Sequence, residues 1–226
     1  MTRARAAACA IVLCSVAAAR DAAAQPAGAT PGRFEVSGGA TWIGRTSIGA
    51  ADAGETTPSN GSLRIFSTSS DLAAAPEIDV RIGLRLARAL AVEAETAYGR
   101  PELRVSLSGD IENAAPATAV ERMQEYLIGG AVLWRVPGLQ RPRLSPFVAA
   151  GGGYLRELHD RALLAQTGRY YTVGGGVAYL LASRSGWIKA TGVRVDARAV
   201  VRRDGVAFAA GSHTAPSLGA SLFVRF

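Results

Sequence analysis

Residues 193–202 read VRVDARAVVR, with charges at Arg194, Asp196, Arg198 and Arg202. A helix would scatter these side chains round its axis, whereas an extended chain puts them all on one face. The opposite face then carries Val193, Val195, Ala197, Ala199 and Val201. The same period of two recurs along the chain. Phe34, Val36, Gly38, Ala40 and Trp42 alternate with Glu35, Ser37 and Thr41. Ile78, Val80, Ile82, Leu84 and Leu86 alternate with Asp79, Arg81, Gly83 and Arg85, and Leu90, Val92, Ala94, Thr96 and Tyr98 with Glu93 and Glu95. Tyr126, Ile128, Gly130, Val132, Trp134 and Val136 oppose Glu125 and Arg135. Tyr171, Val173, Val177, Tyr179 and Leu181 oppose Thr172 and small residues, and Leu218, Ala220, Leu222, Val224 and Phe226 oppose Arg225. Residues 146–158 form a further stretch, glycine-rich and ambiguous in phase, which brings the number of predicted antiparallel strands to eight.

The predicted connections alternate in length. Short turns fall near 87–89, at 137–145 and at 182–187; long connections run over 45–76, 109–120, 159–167 and 204–216. Such alternation suits a membrane barrel with tight turns at one end and surface loops at the other. A strand of about ten residues rises about 33 Å, and a tilt near 45° brings this to about 23 Å of bilayer normal. An open sheet in lipid would leave its edges without hydrogen-bond partners, so closure is required. The predicted fold is therefore all-β: an eight-stranded antiparallel transmembrane up-and-down β-barrel. Its small apolar face points to lipid, with Tyr and Trp near strand ends. Its charged face fills the lumen with Asp79, Arg81, Arg85, Glu93, Glu95, Glu125, Arg194, Asp196, Arg198 and Arg225. An arginine–carboxylate ladder built chiefly on Arg81, Arg85, Glu93 and Glu95 is expected, because the short turn at 87–89 sets these two strands side by side. Alternation also persists at 63–66 and 103–107, which predicts a hairpin extension past the membrane with a break in phase at Pro101.

The other end of the chain explains how it would reach a membrane. Arg3 and Arg5 precede an apolar run over 6–19, followed by small residues at Ala22 to Ala24. This is the pattern of a cleaved signal peptide over 1–24, with cleavage between Ala24 and Gln25. A short segment over 25–32 then leads into a barrel over 33–226. The run is too short for a membrane anchor, and Leu13 is too large for the lipobox that Cys14 would need. Cys9 and Cys14 both lie in the signal, so the mature chain has no thiol for a disulfide or metal. The pI near 10.1 does not point to nucleic acid. Lys189 is the only lysine, and the arginines form no basic run.

These residues resemble the small eight-stranded outer-membrane barrels of the OmpA/OmpX type, over about the whole mature chain. The terminal "SLFVRF" is the most specific element, and "SPFVAAGGGYL" is similar to a strand common in that group. The resemblance implies an outer-membrane location and an assembly signal on Leu222, Val224 and Phe226 that the outer-membrane assembly machinery reads. It does not imply peptidoglycan binding.

No GxxxxGK[ST], HExxH or GxSxG motif occurs. The triplets 151–153 and 174–176 lie within predicted strands, where glycine gives a curved wall room; on adjacent strands they could face one another. His159 and His213 fall in predicted loops, and neither begins the His-x-Ser pairing of the outer-membrane lipid A deacylases. No catalytic, metal or cofactor site is therefore expected. The expected role is a monomeric structural or surface-interaction barrel, embedded in outer-membrane lipid, whose loops meet an extracellular ligand. The alternatives are an OmpW-like conduit for small apolar molecules and a lipid-modifying enzyme.

Overall fold

The computed structural model describes residues 32–56, 62–109, 115–159, 165–183, 186–206 and 211–226. The expected signal peptide, its cleavage residues and residues 25–31 lie outside the described residues. The strands are β1 (Phe34–Ile43), β2 (Thr46–Thr56), β3 (Ser62–Leu72), β4 (Ala75–Arg85), β5 (Leu90–Gly99), β6 (Glu102–Ser108), β7 (Ala117–Arg135), β8 (Leu144–His159), β9 (Ala165–Ser183), β10 (Ala190–Arg203) and β11 (Ser212–Arg225).

Eight of them close a barrel. Strands β1, β4, β5, β7, β8, β9, β10 and β11 pair antiparallel in that order, and β11 returns to β1 from Glu35↔Arg225 to Ile43↔Ser217. Their faces divide as the alternation predicts. Ile78, Ile128, Val173, Val195 and Leu222 are each more than half exposed on the outer wall, while Asp79, Arg81, Glu93, Glu125, Arg194, Asp196, Arg198 and Arg225 are buried inside. The glycine-rich stretch has its phase fixed as well: Phe147, Ala149 and Leu155 point in, and Val148 and Tyr154 point out.

The other three strands build the predicted extension and enlarge it. β3 pairs with β6 from Ser67↔Ser108 to Leu72↔Leu103. β2 joins the far edge of β3, and the first residues of β7 pair with β6. The connection expected to be a long loop over 45–76 is therefore largely strand. Period-two patterning fades where a strand stands in water on both faces, as β2 does beyond Ile48, so "TSIGAADAGET" is silent in the sequence.

The break in phase is displaced from its expected position. Inward residues on β5 and β6 stay odd-numbered through Gly99, Pro101 and Leu103, so Pro101 breaks nothing. The slip lies on the partner strand, where Leu72 and Ala75 both point inward across Ala73–Ala74. A second slip lies at Gly44–Arg45, between inward Ile43 and inward Thr46 and Ile48. β7 runs through both levels without one.

The glycine triplets do not face one another. Gly151–Gly153 lie opposite Thr172, Tyr171 and Tyr170, and Gly174–Gly176 opposite Ala149, Val148 and Phe147. Across the other edge Gly153 meets Gly129 and Gly152 meets Gly130. These glycines make space: a Cβ on Gly129 would collide with the Tyr170 hydroxyl, and one on Gly176 would sit 2.7 Å from Asp196 Cβ.

Candidate functional site

In a ring of eight strands, each wall faces the strand four places on, so β5 lies across the bore from β10. That diameter carries the main ion pairs. Arg194 Nη1 of β10 meets Glu93 Oε1 of β5 at 2.5 Å, and Arg198 Nη1 meets Glu95 Oε2 at 3.0 Å. Asp196 is the hub between them. It accepts Arg198 Nε at 2.8 Å and Arg81 Nη1 at 2.9 Å, and lies 3.5 Å from Arg194 Nε. Arg81 also reaches Asp79 at 3.0 Å, and Thr41 donates to Asp79 at 3.1 Å. A bore only wide enough for side chains brings opposite walls within reach of long arginines.

This corrects the expected ladder. Glu93 and Glu95 take their shortest bonds from across the bore rather than from β4. Arg81 and Glu95 are register partners yet approach only to 3.9 Å. Arg85 stands apart, near Arg135 and Arg225 at the turn end and in no ion pair among the described residues. There Glu35 accepts Arg225 Nε at 2.6 Å and lies 4.0 Å from Arg135.

Toward the surface end, Arg202 gathers the expected lumen charge Glu125 together with two carboxylates that the alternation did not single out. It grips Glu125 with two bonds of 2.6 Å, and Glu157 lies 3.7 Å away. Buried Glu77 packs against the same group. Glu77 is two residues before Asp79 on one face, which was a usable signal; Glu157 was hidden by the unclear phase of its strand.

Apolar layers separate the charged ones. Phe147 lies under Arg194, its ring centre 4.3 Å from the guanidinium carbon, and Phe223 lies likewise beneath Arg225 at 4.5 Å. Leu127, Leu155, Tyr170 and Val200 form a middle layer, with the Tyr170 hydroxyl donating to Glu95 at 3.1 Å. Ile48, Leu72, Leu103, Met123 and Val206 close the mouth, and Val206 N–H donates to Glu157 at 2.7 Å. Beside the hub lies a cavity of about 50 Å³, lined by Asp79, Arg81, Glu95, Tyr170, Asp196 and Arg198. At about 10–15 Å³ per water it has room for a few waters.

Both histidines lie on strand ends rather than in loops. His159 Nδ1 is 2.9 Å from Glu121, and His213 pairs in register with Arg202. Just outside the barrel, Arg45 forks onto Asp71 at 2.8 and 2.6 Å. The hydrogen bonds and negative charge of Asp71 raise the arginine's pKa further above its ordinary value.

The outer wall carries two aromatic belts. Phe34 and Trp42 on β1, Tyr126 and Trp134 on β7, and Tyr171 and Tyr179 on β9 are each eight residues apart on one face. That spacing is about 26 Å along a strand and about 20 Å along the normal at the usual tilt, close to the apolar band of a barrel in lipid. This is an outer-membrane β-barrel.

No family model matches the chain, and no curated protein matches its sequence. Among solved structures, the barrel is similar to Neisserial surface protein A at 18% identity, with a TM-score of 0.51 over 85% of this chain and 97% of that one. It is also similar to the outer membrane protein OprG from Pseudomonas aeruginosa, at 11% identity and a TM-score of 0.47 over 88% and 99% of the two chains. For outer membrane protein AlkL in lipid bilayers the values are 13% and 0.44, over 92% and 97%. The first likeness shows the small eight-stranded barrel fold, and the belts and apolar wall place it in the outer membrane.

Proposed function

We propose that the barrel is a closed, non-conducting and non-catalytic anchor that holds its four-stranded extension outside the membrane for contact with an extracellular ligand. The observation that carries this is the filled bore. Glu93–Arg194 and Glu95–Arg198 span its diameter, and the apolar cluster around Met123 seals the mouth. The cavity beside Asp196, at about 50 Å³, has room for no more than a few waters and is too small to pass a guest molecule, which disfavours a conduit. In this reading β11 also carries what the assembly machinery recognises, through Leu222, Val224 and Phe226.

The test is a planar-bilayer recording on the refolded barrel. A silent bilayer at protein levels where a porin gives steps is the expected result. Porin-like conductance from the native sequence would overturn the proposal.

A further inference from the structure

The outer wall holds charges that the lumen network and the surface loops do not use. Arg156 on β8, Arg169 on β9 and Arg203 on β10 all point outward and are exposed. Arg156 lies two residues beyond exposed Tyr154, and Arg169 two residues beyond the belt residue Tyr171, each on the surface side. Two residues rise about 5 Å along the normal at the usual tilt, which is headgroup depth just above the apolar band.

Register makes these residues a cluster. Arg169 lies directly opposite Arg203 on one side and Tyr154 on the other. Arg156 is the diagonal neighbour of Arg169, because Tyr154 is the register partner. Like charges set directly opposite on neighbouring strands repel, and opposite charges there attract. Among the described residues none of the three forms an ion pair with a carboxylate, and Asp204, next to Arg203, pairs with neither Arg203 nor Arg169. The row is therefore open to an anion from outside the chain. Below it the wall is apolar, with Ile128, Val173 and Val195 exposed.

We infer that this face binds a phosphorylated lipid of the outer leaflet, with phosphate oxygens held by Arg156, Arg169 and Arg203 and acyl chains lying on the apolar wall beneath. A guanidinium presents paired N–H donors that match phosphate, and two of them on facing strands can share one phosphate group. Exposed Tyr154 and Tyr171 flank the headgroup at the interface.

The test uses the folded barrel in a neutral detergent, with native mass spectrometry as the readout. The probes are bisphosphorylated lipid A, the same lipid after enzymatic removal of both phosphates, and inorganic phosphate. The native barrel should retain the phosphorylated lipid at least about tenfold better than the dephosphorylated one. The R156Q/R169Q/R203Q variant should lose that preference. The charge-matched R88Q/R141Q/R143Q variant, altered only in exposed turn residues at the opposite end, should keep it. Equal retention of the two lipids by the native barrel would overturn the inference, and this arm needs no variant to fold. So would undiminished preference in the first variant, or displacement of the lipid by millimolar inorganic phosphate, which would make the row a site for free anions.

Discussion

Replacing Glu93 by Gln tests whether the pairs across the bore hold the barrel together. The change keeps the side chain's size and removes one charge, leaving Arg194 only 1% exposed. Removing one partner of a buried ion pair costs about 3–5 kcal/mol. Arg194 keeps Asp196 at 3.5 Å and the Phe147 ring at 4.3 Å, which places the expected loss at the lower end, about 3 kcal/mol. That is about two powers of ten in the folding equilibrium. Glu102→Gln is the comparison, since its 3.1 Å pair with Arg104 on the extension is solvent-exposed and should cost about 1 kcal/mol or less. Urea unfolding in detergent, followed by fluorescence of the outward Trp42 and Trp134, reads both. The double variant E93L/R194M should cost less than E93Q alone, because no charge is then left without its partner. A loss below about 1 kcal/mol for E93Q, or a double variant as costly as the two single changes added, would refute the reasoning.

Three further outcomes are expected. Gly129→Ala forces a methyl into the Tyr170 hydroxyl and to within 2.5 Å of the Gly152 carbonyl oxygen, so it should destabilise by about 1–3 kcal/mol in the same assay, while Gly138→Ala, with open space around it, should not. Met123→Ala removes a side chain 1% exposed from the mouth cluster and should cost about 2 kcal/mol or more, with faster amide exchange in β2 and β3 as its local signature. Deleting Phe226 removes its N–H bond to the Phe34 carbonyl and its ring contact with Trp187 at 4.8 Å; the fraction that runs as heat-modifiable folded protein in the outer membrane should fall.

The sequence reveals those parts of the barrel where one face must be apolar and the other not. β10 and β11 are legible almost residue by residue because lipid on one side and a packed bore on the other enforce strict alternation. β2 is not: only Thr46 and Ile48 at its foot are buried, and beyond them water on both sides relaxes the pattern. The lumen charges are legible as a set, but their partners are not. Sequence adjacency suggests β4 with β5, whereas the short bonds run from β5 to β10, and strand tilt decides which residues share a level. Tyr170 escaped notice because its neighbour Tyr171 carries the outward phase; its place inside becomes visible only once Gly129 is set beside it.

The pair Glu93–Arg194 joins residues 101 apart in the chain, and its consequence concerns time and shape. Such a strut cannot form while the sheet is a flat or open arc. It requires both halves to have curved, so it belongs to the final stage of assembly, after the β1–β11 seam is within reach. Interactions absent from the folding transition state slow unfolding more than they speed folding. In the finished wall the struts act as spokes. They hold the cross-section round against the lateral pressure of the bilayer, and a barrel braced in this way resists flattening without needing thicker strands or larger side chains.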